Sequence, residues 1–337
     1  MNKRREDPKE KILIVGHGLA GAVLAHQLLE RGIDVEVIDA QRPHSASTIS
    51  AGLIHPFIGP KMNLPSDYEK CLQANDHFFG EFLTKGGQNF LHSIDLIRIF
   101  RNPNQRNRWP DLAKEYRKDI WSKEECAQHG LFAEFGAGVT QAYQLDTAGF
   151  LRSSRALLEE SGRFSEVEYC EDFSSHQKVV FCEGFRVIDN KWFNWLPFSP
   201  AQGEILCIEP VLPIQASNGT WYLTDHARET ARAGSTWNHD LDRLGISQKG
   251  KEEILSNLSF LQADELTVCN HTSGVRSSTR DRQPILGQHP KRKNLYLFNG
   301  FGSRGSTTIA RCAKEMIGLI LDHKPLGKSL DLNRFLC

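Results

Sequence analysis

The sequence predicts an α/β fold built in two lobes, and three observations lead there. Residues 11–39 read KILIVGHGLAGAVLAHQLLERGIDVEVID, an apolar strand, a glycine turn, a helix and a second strand. Residues 294–321 repeat the first half of that pattern as NLYLFNG, FGSRG and the helix STTIARCAKEMIGLIL. Between them, helices alternate with strands of antiparallel character. At 337 residues the chain is long for a single core and comfortable for two.

The first unit carries the most specific signal. KILIVG is a continuous apolar run, as expected of a strand buried on both faces of a parallel sheet. Gly16, Gly18 and Gly21 form G-x-G-x-x-G directly after it. Gly16 permits the tight turn, Gly18 lets the backbone approach a pyrophosphate, and Gly21 lets the helix pack close to the strand. Ala25, Leu28 and Leu29 recur at helical spacing, and Gly32 suits the helix end. The positive end of the helix then faces the phosphates. Asp39 closes the second strand at the right distance to accept from a ribose hydroxyl, and an acid there favours an unphosphorylated ribose. The fingerprint fits FAD and NAD equally.

After the second strand the chain turns small and irregular. ASTISAGLIHPFIGPKM (46–62) sets Ser47, Thr48 and Ser50 before Ala51-Gly52-Leu53. That composition suits backbone lying against a flat ligand rather than an ordinary crossover helix. His55, before Pro56, is readable as a catalytic base or as a structural histidine.

The middle reads as a second lobe. Ser66-Asp67 opens a helix over YEKCLQANDHFFGEFL, and IDLIRIF (94–100) is strand-like. Asp146-Thr147 caps a helix ended by Gly162. SEVEY, KVVFCEG (178–184) and GEILCIE read as strands, WYLTDHARETARAGSTWN (221–238) as a hairpin, and KGKEEILSNLSFL (249–261) as a helix. RIFRNPNQRNRW gathers Arg98, Arg101, Arg106 and Arg108, readable as an RNA-phosphate contact or as a solvated loop.

Composition narrows the classes. Lys+Arg and Asp+Glu are equal at 41 each, so the overall charge gives no argument for a polyanionic partner. No apolar run approaches the roughly 20 residues of a membrane span. MNKRREDPKE lacks the apolar core of a secretion signal. The eight cysteines form no C-x-x-C pair, so buried thiols in the cytoplasm are expected, with no metal site.

In the C-terminal block, GVRSSTRDRQPILG (274–287) precedes the second strand–glycine–helix unit. The opening fingerprint, SAGLIHP, GEILCIE, GVRSSTRDRQPILG and GFGSRG together resemble the glycine oxidase/D-amino-acid oxidase family of FAD enzymes. Within it they are most similar to the flavin domain of the bifunctional enzymes that mature wobble-uridine side chains in tRNA. The resemblance covers almost the whole chain and is most specific at its two ends.

The resemblance implies a Rossmann-like FAD-binding domain (10–60, 141–195 and 270–325) with an inserted, mainly antiparallel-sheet substrate domain (61–140 and 196–269). It implies that the first loop holds the FAD pyrophosphate through Gly16, Gly18, Leu19, Ala20 and Gly21, with Asp39 and Ala40 at the ribose. Ser47, Ser50, Ala51, Gly52, Leu53 and Gly184 would line the cofactor further along. The second loop, Gly300, Gly302, Ser303, Arg304, Gly305 and Ser306, would lie against the isoalloxazine ring, with the helix N-terminus at its pyrimidine edge.

Arg276 is the expected carboxylate clamp, since a guanidinium fork suits a carboxylate. An ion pair with Asp281 is the structural alternative. Arg304 is a second candidate, near flavin or substrate, and His55 a third. Three functions follow as expectations. The first is oxidation of the C–N bond of a small amine or amino acid. The second is a tRNA-modifying flavoenzyme acting on a carboxymethylaminomethyl group, with Arg98–Arg108 and Lys291–Lys293 as a basic path. The third is a non-catalytic flavin-binding module. No membrane partner is expected.

Overall fold

The computed structural model describes residues 11–80, 89–170, 178–225, 230–263 and 265–336. The N-terminal decapeptide, the end of the helix expected through Leu83, the turn of the hairpin expected at 221–238 and Cys337 lie outside the described residues.

The strands are β1 Ile12–Val15, β2 Val35–Ile38, β3 Leu53–Ile54, β4 Leu91–Ile99, β5 Arg117–Trp121, β6 Ala137–Leu145, β7 Phe164–Ser165, β8 Lys178–Phe181, β9 Ala201–Glu209, β10 Ala216–Ser217, β11 Trp221–Asp225, β12 Thr230–Gly234, β13 Thr267–Arg276, β14 Ile285–Gln288 and β15 Leu295–Asn299. The helices are α1 Leu19–Glu30, α2 Ala46–Ile49, α3 Tyr68–Asn75, α4 Pro103–Arg108, α5 Lys123–Gln128, α6 Thr147–Glu160, α7 Gln248–Asn257 and α8 Gly305–Asp322. They fall into two units. One holds the chain up to Thr48, Ala148–Pro200 and Arg276 onward; the other holds Ile49–Thr147 and Ala201–Val275.

The first unit is built on a six-stranded sheet in the order β14-β15-β8-β1-β2-β7. All neighbours run parallel except β14 and β15. The apolar run that predicts β1 is buried at every position, because parallel strands are covered on both faces. Leu13, Val15, Val179, Phe181, Phe193 and Leu297 form one core cluster of this unit. Helix α8 buries Ile309, Ala313, Met316, Ile317 and Ile320, the stripe its sequence spacing predicts. Each of the isoleucines and Met316 contributes about 1.5–3 kcal/mol on burial. Helix α1 buries far more than its predicted stripe, including His26 and Gln27. The reason is a second helix beside it: Gln27 Nε2 donates to the Ala310 carbonyl of α8 at 3.0 Å. The strand expected at 165–169 shortens to β7, paired only at Phe164 and Ser165.

The second unit is built on a sheet ordered β13-β9-β12-β11-β10-β4-β6-β3, with β5 added on β6. It is mainly antiparallel; β10 and β4 run parallel. β11 and β12 pair in hairpin register, Trp221 opposite Gly234. Tyr222, Leu206, Ile208, Ile254 and Leu258 are among its core residues. Residues 49–60 and 141–147, expected with the first glycine loop, lie in this unit, because β3 and β6 are strands of its sheet.

Burial separates the cysteines: Cys71, Cys126, Cys182 and Cys312 are buried, but Cys170 and Cys269 are exposed. Among the described residues, no helix is long and apolar enough to cross a membrane.

Candidate active site

Three glycines and an acid meet along one edge of the six-stranded sheet. Gly16 follows β1, Gly184 lies three residues past the end of β8, Gly300 follows β15 and Asp39 follows β2. These four strands are neighbours in the order β15-β8-β1-β2 and all run parallel. Their carboxyl ends therefore open on the same side. The row spans about 14 Å at the usual strand spacing, the side on which parallel α/β sheets bind ligands.

The first loop is tight. The Gly16 N–H donates to the Ile38 carbonyl at 2.7 Å, and its φ of +102° admits a glycine. A Cβ on Gly21 would fall 1.9 Å from the Gly16 carbonyl oxygen, so α1 can approach β1 only because Gly21 has no side chain. Gly18 is the N-cap of α1 in extended conformation and supplies no side-chain cap. The Ser47 hydroxyl does this instead, accepting from the Leu19 N–H at 3.1 Å. Asp39 holds the loop from below: its carboxylate accepts from the His17 N–H at 2.5 Å and the Gln41 N–H at 2.6 Å. Ala20 is half-buried, and Ala40 is exposed at the rim.

The sequence reading missed His17. It is buried, and its Nε2 shares the Ser154 hydroxyl with His26 Nε2, each at 2.9 Å. Burial lowers His17 to about 4, against the pull of Asp39, so the ring is neutral beside the phosphate-binding loop. Its place inside G-x-G-x-x-G was the available signal. Glu183, between Cys182 and Gly184, was missed too. Burial raises it to about 6 while a 2.7 Å hydrogen bond from Asn190 opposes the shift.

The second loop is braced by Asn299, also missed. Its Oδ1 accepts from the Gly300 N–H and its Nδ2 donates to the Gly184 carbonyl, both at 2.8 Å. The Gly302 N–H donates to the Ser277 carbonyl at 2.9 Å. Gly305 starts α8, and Ser306 is buried in its first turn; Ser303 is exposed and Arg304 half-buried.

Arg276 ends β13. Burial lowers its guanidinium to about 10, so it is charged at neutral pH. Asp281, the acid considered as its partner, is held by Arg334 Nε at 2.9 Å, the Thr279 hydroxyl at 3.0 Å and the Gln283 N–H at 3.0 Å.

The remaining candidates lie in the second unit. Ser50–Leu53 forms an edge locked onto β6: Leu53 pairs with Gln144, and the Leu145 N–H donates to the Gly52 carbonyl at 3.0 Å. A Cβ on Gly52 would lie 1.9 Å from the Leu145 oxygen, so this glycine has a packing reason of its own. The Ser50 hydroxyl accepts from the Gly52 N–H, and Arg232 donates to the Ser50 carbonyl. Ala51 is buried; His55 is half-buried just past β3.

The basic path dissolves in part. Arg98 is buried and donates to the Phe57 and Gly59 carbonyls, and Arg106 donates to the Phe135 carbonyl at 2.9 Å. These two arginines tie loops together. Arg101, Arg108 and Lys291–Lys293 are exposed.

The residues present fit an extended dinucleotide with a flavin. The glycine loop is a cradle that a Cβ would fill, and two buried hydroxyls beside the second loop, Ser277 Oγ and Ser278 Oγ, have no hydrogen-bond partner among the described residues. Among those residues no group of three His, Cys, Asp or Glu is placed to hold a metal.

Comparison with known proteins agrees. The family described as FAD dependent oxidoreductase (DAO) matches residues 11–319. The tRNA 5-methylaminomethyl-2-thiouridine biosynthesis bifunctional protein MnmC of Actinobacillus pleuropneumoniae is 25% identical over 95% of this chain and 57% of its own length. The chain thus spans a little over half of that curated relative. Iminodiacetate oxidase (IdaA) from Chelativorans sp. BNC1 superposes with a TM-score of 0.77 at 18% identity, covering 95% of this chain and 98% of its own. Glycine oxidase from Geobacillus kaustophilus gives 0.74 at 21%, covering 97% and 98%.

Proposed function

The chain belongs to the DAO family of FAD-dependent oxidoreductases, and we propose that it oxidises the C–N bond of a small amine or amino acid. The observation that carries this reading is the row Gly300, Gly184, Gly16 and Asp39 along one parallel-sheet edge, with a half-buried charged arginine, Arg276, in the same unit. The kinship in fold with an iminodiacetate oxidase and a glycine oxidase supports the substrate class.

Bound FAD would supply the two-electron chemistry, as an acceptor for hydride from the carbon beside nitrogen. The chain's own residues do the rest. Gly16, Gly18 and Gly21 bring backbone and the α1 N-terminus to the pyrophosphate. Asp39 positions that loop and takes the ribose. Arg276 binds the substrate carboxylate and so orients the amine. The α8 N-terminus favours negative charge at the ring. As hydride leaves, the nitrogen lone pair forms C=N. Water then adds across it, releasing an amine and a carbonyl compound.

Incubation of the FAD-loaded protein with sarcosine, glycine, proline or iminodiacetate, followed by assay of carbonyl product, tests the proposal. Product from at least one of them is expected. Absence of product from all would remove the small-molecule reading.

A second reading is favoured by one observation, the exposed turn Lys291-Arg292-Lys293, with Arg292 lying 4.9 Å from the Trp192 ring. A cationic turn with an aromatic beside it suits a nucleic-acid backbone. The relative named for tRNA thiouridine biosynthesis fits this reading. Turnover of a carboxymethylaminomethyl-bearing tRNA, in the absence of turnover of free amino acids, would select it.

A further inference from the structure

The connection between β13 and β14 is braced by several backbone and side-chain hydrogen bonds. The Ser278 N–H donates to the Arg276 carbonyl at 2.9 Å, and the Ser278 carbonyl accepts from the Ser199 N–H at 2.8 Å. The Ser277 carbonyl accepts from the Gly302 N–H at 2.9 Å. The Thr279 hydroxyl serves the Gln283 carbonyl at 2.8 Å and Asp281 at 3.0 Å. Against this background two groups stand out. The hydroxyls of Ser277 and Ser278 are shut off from solvent and reach no partner among the described residues. A buried hydroxyl without a partner is costly, and native proteins rarely keep one unless something else satisfies it.

Their position says what that could be. Ser278 is 8% exposed. Its Oγ would be 3.4 Å from a Cβ at Gly302, so the hydroxyl faces a surface that this glycine leaves bare. Three residues later α8 begins, an 18-residue helix whose N-cap, Arg304, supplies no side-chain cap. The positive end of a long helix and an unsatisfied donor thus lie side by side. Both suit a hydrogen-bond acceptor that gains negative charge.

We propose that Ser278, seconded by Ser277, is a ligand of the flavin ring and donates its hydroxyl to the carbonyl-bearing pyrimidine edge. The proposal rests on the FAD dependence of the family and adds a residue to it. The candidate serine of the second loop was Ser303, but that side chain is exposed. Ser278 is the serine whose surroundings require a ligand. A donor at that edge stabilises the reduced, anionic ring more than the oxidised one. It therefore raises the midpoint potential as well as the affinity.

The test uses Ser278→Ala, Ser277→Ala and Ser278→Thr, each purified and titrated with FAD. The readouts are FAD affinity, the flavin absorption spectrum, the two-electron midpoint potential and apoprotein thermal stability. Ser278→Ala is expected to weaken FAD binding about three- to tenfold, as for one lost hydrogen bond. It is also expected to move the potential in the negative direction and shift the visible band. Ser278→Thr, which keeps the hydroxyl, should recover most of both effects. Unchanged affinity and potential in both alanine variants would overturn the proposal while leaving the cofactor assignment intact. Lost apoprotein stability with unchanged flavin properties would also overturn it, by showing that the hydroxyls serve a structural water. A wild-type protein that binds no FAD would overturn this proposal and the cofactor assignment together.

Discussion

Asn299 Nδ2 donates to the Gly184 carbonyl at 2.8 Å and so joins the end of β15 to the segment after β8. The same side chain accepts from the Gly300 N–H. One amide therefore sets the spacing of two of the glycines in the cofactor row. Asn299 is 3% exposed. Its replacement by Leu would bury both backbone groups without partners, at about 1–3 kcal/mol each. Asn299→Leu should thus lower the thermal midpoint and release FAD more readily than wild type, measured by melting with and without added FAD. Asn299→Asp keeps the acceptor for Gly300 but not the donor for Gly184, and should fall between them.

The first loop makes a sharper prediction. A methyl on Gly21 collides with the Gly16 carbonyl, and both partners are backbone. The helix must move away from the strand. Gly21→Ala should therefore yield protein with strongly reduced flavin content, read as the ratio of visible to ultraviolet absorbance. Gly32→Ala is the comparison, since a Cβ there meets nothing within 4 Å although its φ of +74° adds strain. It should lose stability yet keep its flavin.

His17 gives the protein an acid-side dependence. Its folded value of about 4 lies below the ordinary 6.5. The unfolded chain therefore binds the proton first, and stability is lost as pH falls from 6.5 towards 4. Above 6.5 the group contributes nothing to the slope. The loss is on the order of 3 kcal/mol at about 1.4 kcal/mol per pH unit. His17→Gln should flatten this part of the stability profile, measured by urea unfolding at a series of pH values.

Arg276 predicts a split between substrate and cofactor. Arg276→Ala should raise the KM of a carboxylate substrate about 10- to 100-fold, the loss of one charge-assisted hydrogen-bonded pair. Flavin content should be retained. Because the guanidinium loses its proton near 10, carboxylate binding by the wild type should weaken as pH rises through that value. A titration of the flavin band with acetate across alkaline pH reads this directly.

Much of the fold was legible because two local signals were strong. The run ILIV gave β1, and the spacing at 309, 313, 316, 317 and 320 gave the buried face of α8. Residues such as Gly16 and Gly21 were legible because their backbone geometry admits little else. Asn299, His17 and Ser278 were not, because their roles depend on partners far away in sequence: Gly184, Ser154 and Gly302. The basic stretch misled for the same reason. Nothing local shows that the Arg98 guanidinium turns inward to the Phe57 and Gly59 carbonyls. The placement of Ser50–Leu53 was also hidden, since a two-residue strand has no period to read and is fixed only by pairing with β6.

The most direct test of the central claim is an anaerobic titration of the FAD-loaded protein with small primary and secondary amino acids, following the visible flavin band. At least one of sarcosine, glycine, proline or iminodiacetate should bleach the band, and Arg276→Ala should require a far higher concentration to do so. A flavin that dithionite bleaches but none of these amines does would contradict that claim.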